Sequence, residues 1–566
     1  MTHPWEKYYS EAAKKFDLAD MGSQTLGELV DYAADTYGDS AKFTTILPTG
    51  AEGSITFREF RSHVESFAAY LREVVGLKAG DTVALMTPNC IGFTVASMGI
   101  VKAGCKLTNV NPLYTEPEME HQLNDSQAKA LVIIDLFGAK VDAVVPNTGV
   151  KHVVTLSIVD FFAPLKKMLL GFVLKRVRKV VPDITTPHVK FADALAQGAR
   201  AAKGVDVAAY TADVKPTDTV LYQYTSGTTG RSKGAELHHQ GILANAYQAE
   251  LMTDHLRGGG GETTLIALPL YHITAFTLIF VAGLKTGGHA LLVPSPRPPS
   301  NLQKALEKYK ITWFTGINTL YAALLAEPWF KKEHWENLRF SGSGGAAQQT
   351  GVAQKWKDAT GVDINQGYGM TEVHGVLTLN PPSDNRLGKV GIPVPGMQIK
   401  IVGDNGHEVE LGEPGEVLAK GPTLMHGYFN RPDANEDSFT DGWLHSGDIG
   451  VMDADGFLEI VDRKKDMILV SGFNVAPAEI EDVISTVPGV VQVGVIGIPD
   501  EKTSETPAAF IVRKDDSVTE EMIMEACKSS LTNYKRPHKI EFVDEVPVTL
   551  SGKVLRRELR DKYLAS

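Results

Sequence analysis

The chain has 566 residues, more than a single hydrophobic core usually serves, so its length predicts two or more domains. Hydrophobic residues make up 43% of the sequence and charged residues 22%, a balance typical of a globular protein and not of a disordered one. The formal net charge of −12 argues against a general electrostatic grip on nucleic acid.

The cysteines, the N-terminus and the apolar runs indicate the compartment. Cys90, Cys105 and Cys527 form neither a CxxC pair nor a Cys/His cluster that could hold zinc, which favours a reducing compartment. Segment 1–20 is polar and lacks the apolar core of a signal peptide. The longest strongly apolar run, 273–284, is about half of the ~20 residues that a membrane-spanning helix needs. We therefore expect a cytoplasmic chain without a transmembrane helix.

Helices and strands alternate over the first part of the chain, 25–156. The pattern predicts an amphipathic helix over 57–75 and apolar strands over 82–88 and 130–135. Such alternation implies a parallel sheet with helices on its faces.

The alternation resumes after Asp218 with two strands that end in polar loops. TVLYQYT (219–225) and VDINQGYGMTE (362–372) are of the buried type, and each runs directly into a loop that contains glycine. Ligands of such folds bind beyond the carboxyl ends of strands. Both loops are therefore expected at a ligand site.

The composition changes beyond Gly396 to shorter strands and turns. Within 397–421 the DNG and PG turns predict hairpins. A charged run, 462–466, precedes a compact unit of helix (477–486), two strands and helix (519–531).

The predicted fold class is α/β, with two domains. We expect a large N-terminal domain of helix-flanked sheets over 1–462, whose residues 396–462 form a small antiparallel barrel-like portion. A small α+β C-terminal domain is expected over 463–566.

The first chemical motif is YTSGTTGRSKG (224–234). Its glycines allow the backbone to approach a ligand closely, and its five Ser/Thr hydroxyls and Lys233 offer donors and positive charge to phosphate oxygens. The motif departs from the P-loop pattern because two residues separate Lys233 from Gly230 and a glycine follows the lysine. Taken alone, it fits a phosphate cradle and a flexible surface loop equally well.

Two further motifs carry candidate side chains. In 366–372, Tyr368 is suited to stack on a purine, Thr371 to bond a phosphate, and Glu372 to hold Mg²⁺, which prefers carboxylate and phosphate oxygens. In 442–448, Asp448 is able to accept hydrogen bonds from both ribose hydroxyls. Each residue taken singly also fits a solvated turn.

A lysine near the C-terminus is the fourth candidate. Lys553, in the segment LSGK, is a flexible cation on the small predicted domain, able to reach an oxygen that gains charge in a transition state. An ordinary surface lysine is the alternative.

Together, and in this order, the motifs resemble those of the AMP-forming adenylating enzymes, which comprise acyl-CoA synthetases, luciferases and peptide-synthetase adenylation domains. The resemblance covers nearly the whole chain. The stretches NVNPLYTEPEMEHQLNDS, ALPLYHITAFTL, TWFTGINTLYAALL and DRKKDMILVSGFNVAPAEIE look most like bacterial long-chain fatty-acyl-CoA synthetases. The resemblance implies that ATP activates a fatty acid to an acyl-adenylate, and that coenzyme A then forms the thioester, releasing AMP and pyrophosphate.

The resemblance also implies roles for individual residues. Lys553, Glu372, Thr371 and His272 match catalytic positions, with His272 near the carboxylate. Thr225 and Glu372 match the Mg²⁺ ligands. The matching nucleotide-binding positions are Thr225, Ser226, Gly227, Thr228, Thr229, Gly230, Lys233, Gly345, Gln366, Gly367, Tyr368, Thr371, Asp448 and Arg463.

The second half-reaction involves the C-terminal domain in this family. Lys465 matches the hinge about which that domain rotates, and Ser471, Gly472 and Phe473 match the wall of the CoA tunnel. Hinge residues absorb the backbone change of such motions.

Two departures from the family pattern bear on function. Ser232, preceded by Arg231, stands where proline is common, so we expect changed kinetics. Tyr271-His272 replaces a Phe-Asp pair of amino-acid-adenylating relatives, and a buried unpaired ammonium would be costly, which disfavours an amino-acid substrate. Two alternatives stay open: adenylation of another carboxylic acid with transfer to a carrier protein or other acceptor, and a catalytically inactive lipid-binding or scaffolding relative.

A basic segment, 161–182, raises a separate question. It holds six basic residues and no acid, and its apolar residues follow helical spacing. The basic residues are Lys166, Lys167, Lys175, Arg176, Arg178 and Lys179. The apolar face comprises Leu165, Met168, Leu169, Phe172, Val173, Val177 and Val180, whereas Leu170 and Leu174 fall off it. Contact with an anionic membrane and packing on the chain's own domain are both open.

Overall fold

The structure is a computed structural model that describes residues 3–225, 232–253, 256, 261–471, 473–500, 503–549 and 553–564. Across these residues the strands form sheets of nine, seven, five and five strands. Within the same residues, no helix combines the length and the apolar character needed to cross a membrane.

Two large sheets form the main body. In chain order their strands are β1 (Ala41–Ile46), β2 (Glu52–Thr56), β3 (Thr82–Met86), β4 (Lys106–Asn109), β5 (Ala128–Ile134), β6 (His152–Leu156), β7 (Val189–Lys190), β8 (Thr219–Thr225), β9 (Lys233–His238), β10 (Thr263–Ile266), β11 (His289–Leu292), β12 (Trp313–Gly316), β13 (Phe340–Ser343), β14 (Ile364–Tyr368), β15 (Thr378–Leu379) and β16 (Ile392–Pro393). The sheet orders are β7-β6-β5-β3-β4-β8-β9 and β16-β15-β14-β13-β12-β10-β11-β1-β2.

Most neighbouring strands of both sheets run parallel, as the alternating pattern predicts. In the first sheet β3, β4, β5, β6 and β8 pair in parallel, and β9 closes the edge antiparallel to β8. In the second, β10 to β14 pair in parallel. The α/β class with helix-flanked sheets is therefore confirmed.

Helices cover these sheets and complete the smaller parts. They are α1 (Leu26–Tyr37), α2 (Phe57–Ala69), α3 (Ile91–Lys102), α4 (Glu116–Asp125), α5 (Ala139–Val144), α6 (Pro164–Phe172), α7 (Phe191–Ala201), α8 (His239–Thr253), α9 (Ile273–Ala275), α10 (Ala282–Thr286), α11 (Gln303–Lys308), α12 (Asn318–Leu325), α13 (Thr350–Thr360), α14 (Pro432–Ser438), α15 (Pro477–Ser485), α16 (Glu520–Ser530) and α17 (Arg556–Leu564).

Helix α2 illustrates how local sequence fixes an element. The side chain of Thr56 accepts the N–H of Glu59, and the Glu59 carboxylate accepts the N–H of Thr56, which closes a capping box. Phe57, Phe60 and Phe67 are buried, because the apolar stripe faces the core. The helix continues as a π-helical turn to residue 74, close to the predicted end.

The remaining strands form two antiparallel-rich sheets. They are β17 (Gln398–Val402), β18 (Gly415–Lys420), β19 (Phe439–Thr440), β20 (Trp443–Met452), β21 (Leu458–Arg463), β22 (Ile468–Val470), β23 (Phe473–Val475), β24 (Val490–Asp500), β25 (Ser504–Arg513) and β26 (Lys539–Phe542). Strands β17 to β21 pair antiparallel, as predicted for the region after Gly396.

The apolar core is divided between the two parts of the chain. One cluster runs through both large sheets and into β17–β21, where Ile399, Val417 and Leu444 belong to it. A separate cluster, which includes Ile480 and Ile523, holds β22–β25, α15 and α16 together. We call residues 468–564 the closing unit.

Candidate nucleotide site

Two strands of different sheets each end in a predicted site segment. β8 ends at Thr225, and β14 ends at Tyr368. The chain returns on β9, where Lys233 lies opposite Thr225 in the register. Six residues of the glycine-rich motif lie outside the described residues: Ser226, Gly227, Thr228, Thr229, Gly230 and Arg231.

A bridging segment, residues 425–429, joins β9 to the loop after β14. The N–H of Phe429 donates to the carbonyl of Gly234 on β9 (2.8 Å), and the N–H of Met425 donates to the carbonyl of Glu372 (2.8 Å). Backbone hydrogen bonds therefore hold the loop after β14 against β9. Thr371 and Glu372 start the short 3₁₀ turn in that loop.

Tyr428 of the bridging segment contacts two predicted site residues. Its hydroxyl donates to Oε1 of Glu372 at 2.5 Å, and Nζ of Lys233 lies 4.6 Å from its ring centroid. Burial and then the Glu372 carboxylate raise the pKa of Tyr428, so its hydroxyl remains a donor. Motif analysis missed Tyr428, since only an isolated Gly-Tyr-Phe run marks it.

Asp448 and Arg463 occupy opposite positions on β20 and β21. Nε of Arg463 lies 3.4 Å from Oδ1 of Asp448, and the hydroxyl of Tyr368 donates to Oδ2 at 2.6 Å. Asp448 is only 6% exposed, so these partners stabilise a buried carboxylate. Burial, followed by that carboxylate, raises the pKa of Tyr368 well above its ordinary value.

A cavity begins at Tyr368 and extends between the nine-stranded sheet and α8. Apolar and glycine residues line most of it, and Glu250 of α8, which pairs with Lys285 at 2.9 Å, also lines it. Its described lining includes Gly344, Gly345, Gly367, Tyr368, Gly369, Thr274, Leu278, Trp313, Phe340 and Leu379.

Of the predicted nucleotide-binding residues, Gly345, Gly367 and Tyr368 line this cavity. Another, Gln366, is buried in β14 opposite Ser343 and is absent from the described lining. Gly369 has to be glycine, because a Cβ atom there would lie 2.0 Å from the carbonyl oxygen of Gly375.

His272 lies at the start of α9 and is exposed. Its Nδ1 accepts the N–H of Thr274 at 3.4 Å, and Thr274 lines the cavity. The carbonyl of the preceding Tyr271 accepts a hydrogen bond from Gln223 of β8 (3.1 Å), which fixes this loop to the first sheet. His272 itself is absent from the described lining of the cavity, but it contacts a residue that belongs to that lining.

Lys553 reaches this site from the closing unit. Burial and the nearby positive charge of Arg463 lower the pKa of Lys553 to about 8, although Asp448 and Asp466 oppose the change. Its charge therefore interacts with the Asp448–Arg463 pair. Burial, followed by Arg463, also lowers the pKa of Lys465.

The predicted CoA-tunnel residues make separate contacts. The N–H of Ser471 donates to the carbonyl of Thr503 (2.7 Å), and the ring of Phe473 stacks on Tyr534 with centroids 4.9 Å apart. Gly472 lies outside the described residues. In the described contacts, these side chains do not join the network around Asp448.

The network presents cations and hydrogen-bonding groups at the mouth of a mainly apolar cavity. Lys233, Arg463 and Lys553 are cations of the kind that phosphate favours, and Asp448 and Tyr368 are polar groups suited to a nucleoside. The arrangement suits a nucleotide joined to an apolar acid.

Comparisons with known proteins match nearly the whole chain. Residues 30–429 match the family model described as AMP-binding enzyme, and 479–553 match the AMP-binding enzyme C-terminal domain. A long-chain-fatty-acid–CoA ligase of Escherichia coli O157:H7 is 43% identical over 95% of this chain and 94% of that protein. The enzyme of the same name from Haemophilus influenzae is 40% identical over 99% and 98%.

A solved structure has the same fold. An anthranilate CoA ligase, AuaEII, in complex with anthranoyl-AMP superposes with a TM-score of 0.83 at 27% identity, covering 97% of this chain and 99% of that one. The family models and the relatives together show that this chain belongs to the AMP-binding enzyme family.

Proposed function

We propose that this chain is a fatty-acid:CoA ligase. It uses ATP to convert a fatty acid to an acyl-adenylate and then forms the thioester with coenzyme A, releasing AMP and pyrophosphate. The observation that carries the proposal is the network of Asp448, Arg463 and Tyr368, in which Tyr368 also lines a cavity with mainly apolar walls and the charge of Lys553 interacts with Asp448 and Arg463. The names of the relatives, long-chain-fatty-acid–CoA ligases, agree with it.

In the first step a carboxylate oxygen attacks the α-phosphorus of ATP, and the bond to pyrophosphate breaks. The protein contributes positioning and charge stabilisation. Lys553 donates to the carboxylate and the α-phosphate, Asp448 and Arg463 hold the ribose, and His272 lies near the acid. The glycine-rich loop and Lys233 bind the phosphates that leave.

The acyl chain occupies the cavity behind Tyr368. Leu278, Trp313 and Phe340 supply apolar contact along it, and Glu250, which pairs with Lys285, also lines it. An apolar tail is stabilised in this cavity because its surface is removed from water.

Magnesium accompanies the ATP in this proposal. Thr225 and Glu372 would hold it, and their hydroxyl and carboxylate oxygens are of the type that Mg²⁺ prefers. The described residues contain no group of three or more His, Cys, Asp or Glu side chains suited to a metal ion, so phosphate and water would supply the remaining ligands. Bound Mg²⁺ supplies charge neutralisation for the phosphates.

The two domains of the proposal are 1–462 and 463–566, joined at a hinge that includes Lys465. The separation of the apolar cores supports this division. Rotation at the hinge would withdraw Lys553 and bring Ser471, Gly472 and Phe473 to the CoA tunnel for the second step.

The overall activity is tested by release of AMP and pyrophosphate from ATP with acids of graded chain length, with and without CoA. We expect adenylation with long- and medium-chain acids and thioester only with CoA. Adenylate without thioester would favour the carrier-protein alternative, and release that ignores every acid would contradict the ligase proposal.

Substitution of Lys553 tests its role. Lys553→Ala should slow adenylation by roughly 10²- to 10³-fold, ~3 to 4 kcal/mol, because a transition-state donor is lost. With a pKa of about 8, the ammonium of the wild type is lost as pH rises through 8, so kcat/KM for adenylation should fall above that pH. Lys553→Arg keeps its charge and should lack that decrease. Identical pH profiles for the wild type and Lys553→Arg would contradict the assignment.

Tyr428→Phe tests whether the hydrogen bond from Tyr428 supports Glu372 in its proposed role. Loss of the 2.5 Å hydrogen bond should lower kcat/KM for MgATP by about tenfold, which corresponds to ~1.4 kcal/mol. The matched control is Tyr309→Phe, whose hydroxyl donates to Glu52 at 3.0 Å among residues outside the site network. Equal kinetics of the two variants would argue against a role for Tyr428.

We further propose that the enzyme is cytoplasmic and contacts the inner face of the cell membrane through 161–182. Leu165, Met168, Leu169 and Phe172 of α6 are between 58% and 73% exposed. Leu170 and Leu174, on the opposite side, pack against the main core. Packing on the protein therefore leaves the predicted apolar face open.

Charge near this face favours anionic lipid as its partner. Lys167 pairs with Asp160 and Lys175 with Asp183. The other four basic side chains form no ion pair with a residue that the structure describes: Lys166, Arg176, Arg178 and Lys179.

Vesicle sedimentation tests the membrane proposal. The protein should sediment with phosphatidylglycerol vesicles at low salt, less at high salt, and poorly with phosphatidylcholine vesicles. The double variant Leu169→Ser/Phe172→Ser should bind about tenfold more weakly, while the matched control Leu411→Ser, a change at another exposed leucine, should not. Failure of the wild type to bind anionic vesicles at low salt would contradict the proposal.

A further inference from the structure

We propose that the ion pair between Arg556 and Asp462 is a positioning contact that holds Lys553 at the nucleotide site during adenylation. The inference rests on the proposed role of Lys553. Arg556 and Asp462 take no part in a chemical step. Their contact holds the closing unit in position.

Arg556 anchors the segment that carries Lys553. It is the first residue of α17, three positions after Lys553, and is 8% exposed. Its Nε donates to the carbonyl of Val495 on β24 at 3.0 Å, and its guanidinium donates to Glu481 of α15 at 2.9 Å. Arg556 is therefore fixed on two elements of the closing unit.

Asp462 belongs to the other side of the proposed domain boundary. It lies on β21, is 7% exposed, and its Oδ2 is 3.6 Å from the guanidinium of Arg556. The same oxygen accepts the N–H of Ala478 in α15 at 3.0 Å, while Oδ1 accepts the N–H of Arg463 at 2.7 Å. One carboxylate of the main body thus contacts both α15 and α17 of the closing unit.

Three carboxylates surround Arg556. A substitution of Arg556 would affect all three, whereas a substitution of Asp462 changes only one of them. Besides Asp462, Asp466 lies 3.7 Å from the guanidinium and Glu481 faces it. Burial raises the pKa of Glu481, although Arg556 opposes the change. Losing Arg556 would leave three carboxylates together, whereas Asp462→Asn removes the charge that crosses the boundary and one of the two oxygens that accept the N–H groups of Arg463 and Ala478.

Lys553 itself is held by its backbone. Its N–H donates to Oγ1 of Thr549 at 3.0 Å, and its carbonyl accepts the N–H of Thr549 at 2.8 Å. Three residues later Arg556 reaches Asp462, and the neighbour of Asp462, Arg463, pairs with Asp448. The contact therefore ties the turn that carries Lys553 to the strand that carries the predicted ribose residue Arg463.

Two half-reactions measured separately test the inference. Asp462→Asn should slow ATP–pyrophosphate exchange with a fatty acid by about 10- to 100-fold, because a displaced donor loses its alignment. Thioester formation from supplied acyl-adenylate and CoA, which does not use Lys553 in our proposal, should stay within about twofold. Asp462→Glu, which keeps the carboxylate, should retain more of the exchange activity.

The controls distinguish positioning from general damage. Asp516→Asn breaks an Asp–Arg pair with Arg513 inside the closing unit and should leave both half-reactions unchanged. If Asp462→Asn left the exchange unchanged, or slowed both half-reactions equally with a lower melting temperature, the inference would be overturned. Lys553→Ala is assayed in parallel. Full exchange activity in that variant would instead overturn the role of Lys553, and the inference with it.

Discussion

The buried carboxylate of Asp448 is the charge on which the site depends. A carboxylate at this depth is stable only when hydrogen bonds and opposite charge replace water. Tyr368 supplies the hydrogen bond from β14, and Arg463 supplies the charge from β21. Because these partners come from different sheets, satisfying one carboxylate also fixes the main body against the antiparallel strands. The charge of Lys553, which belongs to the closing unit, also interacts with Asp448 and Arg463.

Sequence reasoning predicted the parts of this arrangement that depend on local pattern. Apolar runs predicted β3, β5, β8 and β14, and the expected ligand site after β14 coincides with the place where Tyr368 contacts Asp448. These predictions succeed because buried parallel strands are apolar along their length and ligand loops follow their carboxyl ends. The assignment of roles to Lys553 and Asp448 depended on family resemblance, since a single lysine or aspartate has no distinctive local pattern.

The rest of the site depends on contacts between distant segments. Tyr428 meets Glu372 only because 425–429 pairs with β9, and Asp462 meets Arg556 across more than ninety residues of chain, as their numbers show. Periodicity cannot predict such pairs. The orientation of α6 also depends on contacts with distant segments. Its spacing identified an apolar face, but only the packing of Leu170 and Leu174 determines that this face points away from the core.

The lowered pKa of Lys553 connects substrate binding to protonation. In the ligand-free protein, burial and Arg463 disfavour the ammonium, and Asp448 and Asp466 compensate only in part, leaving the pKa at about 8. A bound polyphosphate would add negative charge beside the amine and raise that pKa again, since opposite charge favours the charged form. Near and above pH 8, nucleotide binding is then linked to uptake of a proton at Lys553. The lysine would be least charged when the site lacks phosphate and most charged when phosphate is bound, and the adenylation step that we propose needs its full charge in the second state.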